Sequence, residues 1–233
     1  MRHRICQSPH HQRTIPRRPS MKRRSATVPT RERILNEVER LIAMKGVHGF
    51  KLRDVADRLG LQVPAIYKHY KGRDDVLVEV SRRFITLLAA QFHSSPSSPA
   101  QAPPAALRSC LNRLVEFKMF HPAYVRLVLV DFATPEGGME YVKHAAGGPL
   151  AAMHCRLRSV LQAGARSKHF RRVDATDFYR IMKAALLIRL VFPDDKLLLR
   201  RPTAAEVRAI QRWLWNIASG FLAPRPAGGR RRS

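Results

Sequence analysis

Tyr67, Lys68, His69 and Lys71 stand close together in the stretch LRDVADRLGLQVPAIYKHYKGRDDVL, residues 52 to 77. A phenol, two amines and an imidazole within five residues can serve hydrogen bonding and attraction to anions. They become a reading surface only if something rigid presents them. The preceding residues supply that. Leu52, Val55, Ala56 and Leu59 have the i, i+3, i+4, i+7 spacing of one helix face. Gly60 follows, the residue that most easily takes the left-handed turn ending a helix. Pro64 falls in the first turn of a second helix, where its missing N–H costs nothing. Ile66 and Tyr70 lie four apart on its inner side, leaving Tyr67, Lys68 and His69 to point elsewhere. Two short helices joined by a tight glycine turn, the second with its polar side free, are what a helix-turn-helix reader needs.

The elements around this pair are helical. Ile34, Leu35, Val38, Leu41 and Ile42 form the apolar face of a first helix, with Thr30 as its expected cap and Glu32 in its first turn. Gly46 and Gly49 break it. Gly72 closes the third helix, and Asp74 and Asp75 open a fourth with a stripe at Leu77, Val80, Phe84, Leu87 and Leu88. Residues 93 to 104, HSSPSSPAQAPP, read as a linker by their four prolines and four serines. Helical periodicity then resumes at Leu107, Cys110, Leu111, Leu114 and Val115. His121-Pro122 interrupts it before AYVRLVLVDF, which has strand propensity but no partner strand. A glycine-rich break at 137–148 precedes a helix near Leu150 to Ala163. Further stripes are Phe178, Ile181, Met182, Ala185, Leu186 and Leu190, then Val207, Ile210, Leu214, Ile217, Ala218 and Phe221. No β-hairpin signal stands out.

The expected fold is all-α: an N-terminal three-helix helix-turn-helix domain plus connecting helix, followed by a helical-bundle domain. The expected boundaries are a disordered basic tail at 1–28, the helix-turn-helix domain at 29–91, a linker at 92–104, the C-terminal domain at 105–223 and a second basic tail at 224–233. Met21 opens MKRRSATVPTRERIL, which would serve as a start of its own.

The chain has 233 residues with 43 Lys+Arg against 17 Asp+Glu, a net charge of +26 that favours polyanionic partners. The excess is uneven. Residues 1–28 carry eight bases and no acid, residues 29–80 carry ten bases and eight acids, and the remainder carries twenty-five bases and nine acids. The helix-turn-helix argument therefore rests on geometry and not on bulk charge. Three scattered cysteines, Cys6, Cys110 and Cys155, make neither a metal motif nor a disulfide framework, and reduced thiols in a cytoplasmic protein are expected. No run of 18 apolar residues would span a membrane. The sequence shows no GxGxxG, P-loop, HExxH or GxSxG pattern, and the pairs Asp174/Asp177 and His169/Asp174 have the look of a helix N-terminus. An enzyme is not expected, nor is a cofactor or metal.

The run TRERILNEVERLIAMKGVHGFKLRDVADRLGLQVPAIYKHYKGRDDVLVEV resembles the N-terminal domain of TetR-type transcriptional regulators. The resemblance covers about fifty residues. It lies in the first-helix stripe, the Gly46 break, LRDVADRLGL, PAIYKHY and KGRDDVL. It implies a cytoplasmic homodimer that sets one recognition helix per subunit in successive major grooves of a palindromic operator in double-stranded DNA. It also implies a small-molecule effector that enters the C-terminal half and releases a repressor from its operator. Within that frame Gln62 can hydrogen-bond a base, and Val63, Pro64 and Ala65 can meet thymine methyls. Tyr67, Lys68, His69 and Lys71 suit the phosphate backbone, Arg53 suits base or phosphate, and Thr30 can offer a phosphate its backbone N–H. Lys51 departs from the family pattern, because a Ser or Thr usually caps the second helix there.

Glu116, His121, Arg126, Asp131 and Arg189 are the polar groups within apolar segments expected to line an effector pocket. Leu186, Leu190, Trp213, Leu214 and Ile217 lie on helices apolar on more than one face and are expected at the dimer interface. The competing reading is a basic architectural protein that binds nucleic acid without sequence preference.

Overall fold

The computed structural model describes residues 28–93, 102–132, 148–192, 198 and 200–224. Among them are nine α-helices and no strand: α1 Thr30–Lys45, α2 Leu52–Leu59, α3 Val63–Tyr67, α4 Arg73–His93, α5 Pro103–Phe120, α6 Pro122–Phe132, α7 Gly148–Arg166, α8 Ala175–Val191 and α9 Ala204–Leu222. The fold is all-α, and AYVRLVLVDF is helical within α6. Most of residues 1–28, residues 94–101 and all but the last of the glycine-rich break lie outside the described residues, as does the C-terminal tail from 225 on.

The first four helices form the small N-terminal domain. All five residues of the α1 stripe are buried, as are Leu52, Val55 and Ala56 of α2, Ile66 of α3 and Tyr70 just beyond it. α1 packs on α2 and α4, and α2 packs on α3. Polar contacts then lock the helices in register. Arg33 donates to the Leu59 carbonyl at 3.2 Å, and the Tyr70 hydroxyl donates to the Arg31 carbonyl at 3.3 Å. Arg58 meets Glu37 at 3.4 Å, and Arg83 of α4 meets Glu39 of α1 at 3.3 Å.

One helix start differs from the sequence expectation, and a second is completed by a residue of its own first turn. Thr30 is the first helical residue of α1 and its side chain caps nothing; Pro29 occupies the cap position, its carbonyl accepting from the N–H groups of Glu32 and Arg33 at 2.9 and 3.0 Å. Pro and Thr both favour a helix start, and the proline took the earlier place. Lys51 indeed offers no side-chain cap to α2, but its own N–H donates to the Asp54 carboxylate at 3.0 Å. That bond satisfies one donor and sets a negative charge at the positive end of the helix dipole. The third helix also ends earlier than expected, at Tyr67, with Lys68 and His69 in a turn.

α4 leads directly into the C-terminal half. It continues to His93, and α5 begins at Pro103 with prolines in its first turn. Residues 92, 93, 103 and 104 of the expected linker are therefore helical. α5 lies centrally, packing on α4, α6, α7 and α9, while α7 also packs on α4 and α8. α6 packs on α1 and α4, which ties the second half to the first. One apolar cluster runs from Ile34 to Leu222. α8 is capped by Asp174, whose carboxylate accepts from the N–H groups of Thr176 and Asp177 at 2.8 and 3.0 Å. α9 is capped by Thr203 and Glu206 in a reciprocal box; Arg200 and the Thr203 groups bonded to the Glu206 carboxylate hold its pKa down to about 2.

The corner between α7 and α8 depends on one glycine. A Cβ on Gly164 would lie 1.9 Å from Cδ2 of the buried Phe170 ring. Gly164→Ala is expected to cost about 1–3 kcal/mol by forcing that ring from its site, seen as a lower urea midpoint. An unchanged midpoint would mean the ring moves freely.

Candidate nucleic-acid interface

The turn between α2 and α3 is built as the sequence requires. Gly60 has φ 66° and ψ 34°, the left-handed conformation that a side chain disfavours, and it brings the Leu61 N–H to within 2.9 Å of the Ala56 carbonyl. Gln62 is the cap of α3, with Val63 and Pro64 as its first two residues. Ile66 is fully buried and anchors the inner side. Pro64, Tyr67 and Lys68 follow i, i+3, i+4 on the outer side. Tyr67 is 54% exposed, an unusual position for a large aromatic ring, and Lys68, His69, Gln62, Arg53 and Lys71 are exposed as well. Val63 and Ala65 are half-buried at the base of the short helix, and Thr30 is half-buried at the start of α1.

The charge distribution explains how a nearly neutral domain can present a basic surface. Glu37, Glu39, Asp54 and Glu79 are each within ion-pair distance of an arginine or lysine. The Asp75 carboxylate accepts from the Lys71 N–H at 2.9 Å. Lys51, Arg53 and Lys68 and the Lys71 ammonium have no ion-pair partner among the described residues. Most acids of the domain are thus engaged in its scaffold, Glu32 and Asp57 being exposed exceptions, and amines and a guanidinium are exposed along the α2–α3 unit.

Residues 34–80 match the family of bacterial regulatory proteins of the tetR type. The N-terminal domain belongs to the TetR family.

The rest of the chain shares the TetR architecture at the level of fold. A tetR-family regulatory protein from Rhodococcus RHA1 superimposes with a TM-score of 0.66 at 18% identity, over 86% of this chain and 100% of that one. The ketosteroid transcriptional regulator KstR2 of Mycobacterium tuberculosis gives 0.61 at 18% identity, over 84% and 96%. The TetR-family regulator PfmR of Thermus thermophilus gives 0.60 at 24% identity, over 81% and 96%. No curated protein matches the chain in sequence. The domain match supports a DNA-binding regulator, and the shared architecture is the fold such regulators have. Among its described residues no helix is long and apolar enough to cross a membrane.

In the C-terminal half, four of the five expected pocket residues have described side chains. Glu116 is exposed and accepts a hydrogen bond from Gln211 of α9 at 2.8 Å, so it joins two helices at the surface. His121 caps the end of α5 and packs its ring against Phe84 and Phe117, with centroids 5.6 and 4.6 Å away. Burial and the Arg83 charge push its pKa down, which favours the neutral imidazole. Arg126 is half-buried with an unpartnered Nε, and Arg189 is half-buried in the last turn of α8. The side chain of Asp131 lies outside the described residues. None of the other four lines the cleft of about 610 Å3 between α1, the α5–α6 corner and Leu198, Arg200, Arg201 and Pro202.

The interface expectation also needs correction. Leu186, Leu190 and Leu214 have no exposed surface, because they form the core between α8, α9 and α5 of one chain. Only the half-buried Trp213 and Ile217 of that set retain surface for a partner. Other apolar groups face outward on α8: Ile181, counted above in the inner stripe, is 41% exposed and Ile188 62%, and Phe192 just past the helix is 79% exposed. Their spacing of seven and four residues places them along one stripe, a signal available in the sequence but masked by the richer stripe beside it.

Lys118, likewise missed by sequence reasoning, is 1% exposed in the interior of the second half. The Cys110 thiol is buried and pushed up by burial, whereas Cys155 is exposed.

Proposed function

We propose that this chain is a homodimeric, sequence-specific repressor released from a palindromic operator by a small molecule bound in its C-terminal half. The observation that carries the DNA part is the outward pair of Pro64 and Tyr67 on a helix whose inner side is fixed by Ile66, continued by exposed Lys68 in the turn that follows. The N-terminus of such a helix, seated in a major groove, brings Gln62, Val63, Pro64 and Ala65 to base edges. Tyr67, Lys68, His69, Lys71 and Arg53 then fall to the flanking phosphates and Thr30 offers its free N–H to one more.

The second copy is assigned to the exposed stripe of Ile181, Ile188 and Phe192, joined by Trp213 and Ile217 of α9. Large apolar groups in a row are costly in water and are covered in an isologous pair of helices. Effector release follows from the packing of α6 on α1 and α4. A ligand that favours one arrangement of α6 biases the placement of the two reading heads.

DNase I footprinting on intergenic duplexes tests this. The dimer is expected to protect a two-fold symmetric window with half-sites about 34 Å apart, and Ile188→Glu is expected to give monomers in sedimentation and to lose that protection. Diffuse protection, or an Ile188→Glu variant that remains dimeric with full protection, would contradict the reading.

A further inference from the structure

Only two polar or charged residues are buried among the described ones, Ser81 and Lys118. The Ser81 hydroxyl is buried without a hydrogen-bond partner, but it carries no charge. A lysine does not, because an isolated ammonium removed from water is strongly disfavoured unless an anion answers it. No carboxylate lies within ion-pair distance of Lys118 among the described residues. Its Nζ sits over the Tyr124 ring, 5.0 Å from the centroid, which offsets part of the loss.

The surroundings make the position more cationic still. Lys183 of α8 is near enough for its charge to act on both Lys118 of α5 and His154 of α7. His154 packs edge-on against Tyr179 of α8, centroids 4.9 Å apart, and its Nε2 is buried without a hydrogen-bond partner. Arg158 adds its charge to His154 as well. Charge on α8 thus reaches groups on both α5 and α7, two helices that pack on one another.

We infer that Lys118, with Lys183 and His154, is the anchor for the carboxylate of a small amphipathic organic acid bound between α5, α7 and α8. This rests on reading the second half as the effector domain and gives the effector its chemical class. A carboxylate supplies one negative charge to answer the uncompensated ammonium of Lys118. A doubly charged phosphate would bring more hydration to strip than this interior can replace. The neighbouring Val115, Phe117 and Met119 are all buried, which suits an acid with an apolar body. Burial and the Lys183 charge push the Lys118 amine down to about 7, so the free site is poised to gain a proton as an acid enters. The Tyr124 ring beneath Lys118 also meets Phe84 of α4 at 5.7 Å and Phe117 at 5.3 Å. An anion that draws the ammonium from that ring therefore acts on packing that reaches the helix carrying the DNA-binding domain.

The test uses the full chain with butanoate, octanoate, dodecanoate and phenylacetate, each against its primary amide, by calorimetric titration slightly below neutral pH. At least one acid is expected to bind the parent about tenfold or more tighter than its amide, and Lys118→Met is expected to abolish that preference while leaving the amide's affinity unchanged. If every acid binds no better than its amide, or none binds, the assignment is overturned; this comparison needs no variant. Retention of the acid preference by a folded Lys118→Met protein overturns it too. Operator binding measured in parallel separates the two readings. Acid binding that leaves DNA affinity unchanged keeps the anchor and sinks effector release. Release by the amides as well as by the acids keeps effector release and sinks the anchor.

Discussion

Lys118→Met is expected to make the unliganded protein more stable at neutral pH by about 1–4 kcal/mol, although most core substitutions do the opposite. Methionine has similar volume and needs no counter-ion, so packing is kept while the desolvation cost of the ammonium is removed. The pH dependence identifies the cause. In the unfolded chain this lysine titrates near 10.5, and in the fold near 7. Between those values the unfolded state holds a proton that the native state lacks, so parent stability rises with pH through that window, by up to about 1.4 kcal/mol per pH unit. Below the lower value the penalty is fully present. In urea titrations across this range, the difference between Lys118→Met and parent should be largest at low pH and shrink toward pH 10.5. Parallel curves, or a less stable variant throughout, would show that the buried ammonium is already answered. A residue kept at such a cost is what a binding site retained against stability looks like.

Tyr67→Ala is expected to leave stability within about 0.5 kcal/mol of the parent and to weaken operator binding sharply. The ring is more than half exposed, so little packing is lost. A hydrogen bond from its hydroxyl to a phosphate is a contact to a charged group, worth about 1.5–3 kcal/mol. The contact occurs in both subunits, so affinity should fall on the order of a hundredfold or more. Lys68→Ala probes the same surface by a different readout. Losing one phosphate contact per subunit should lower the slope of log K against log salt by about two for the dimer. A destabilised Tyr67→Ala protein with normal DNA affinity would return this ring to a packing role.

The N-terminal domain was legible because its signals are local. The α1 stripe, the Gly60 turn, Pro64 in a first turn and the inner pair Ile66 and Tyr70 all depend on residues within one or two helical turns. The second half was legible only as helices. A helix that is apolar on several sides does not disclose which side meets its own chain, and Leu186, Leu190 and Leu214 went to the core while Ile181, Ile188 and Phe192 stayed outside. Glu116 and His121 stood out as polar groups in apolar segments, yet one is exposed and the other became a packed ring. Lys118 carried the better signal. It continues the stripe Leu107, Leu111, Leu114 at i+11, a core position that its charge disguised. Its burial could be established only from the helices that close over it.

The central claim is sequence-specific reading by a dimer, and selection from a random duplex pool tests it most directly. The purified full chain is used at low and at moderate salt. The account predicts a palindromic site with two half-sites about one helical turn apart that is still recovered at the higher salt. Uniform recovery that collapses as salt rises would contradict it and leave the +26 charge as the basis of a general attraction to nucleic acid.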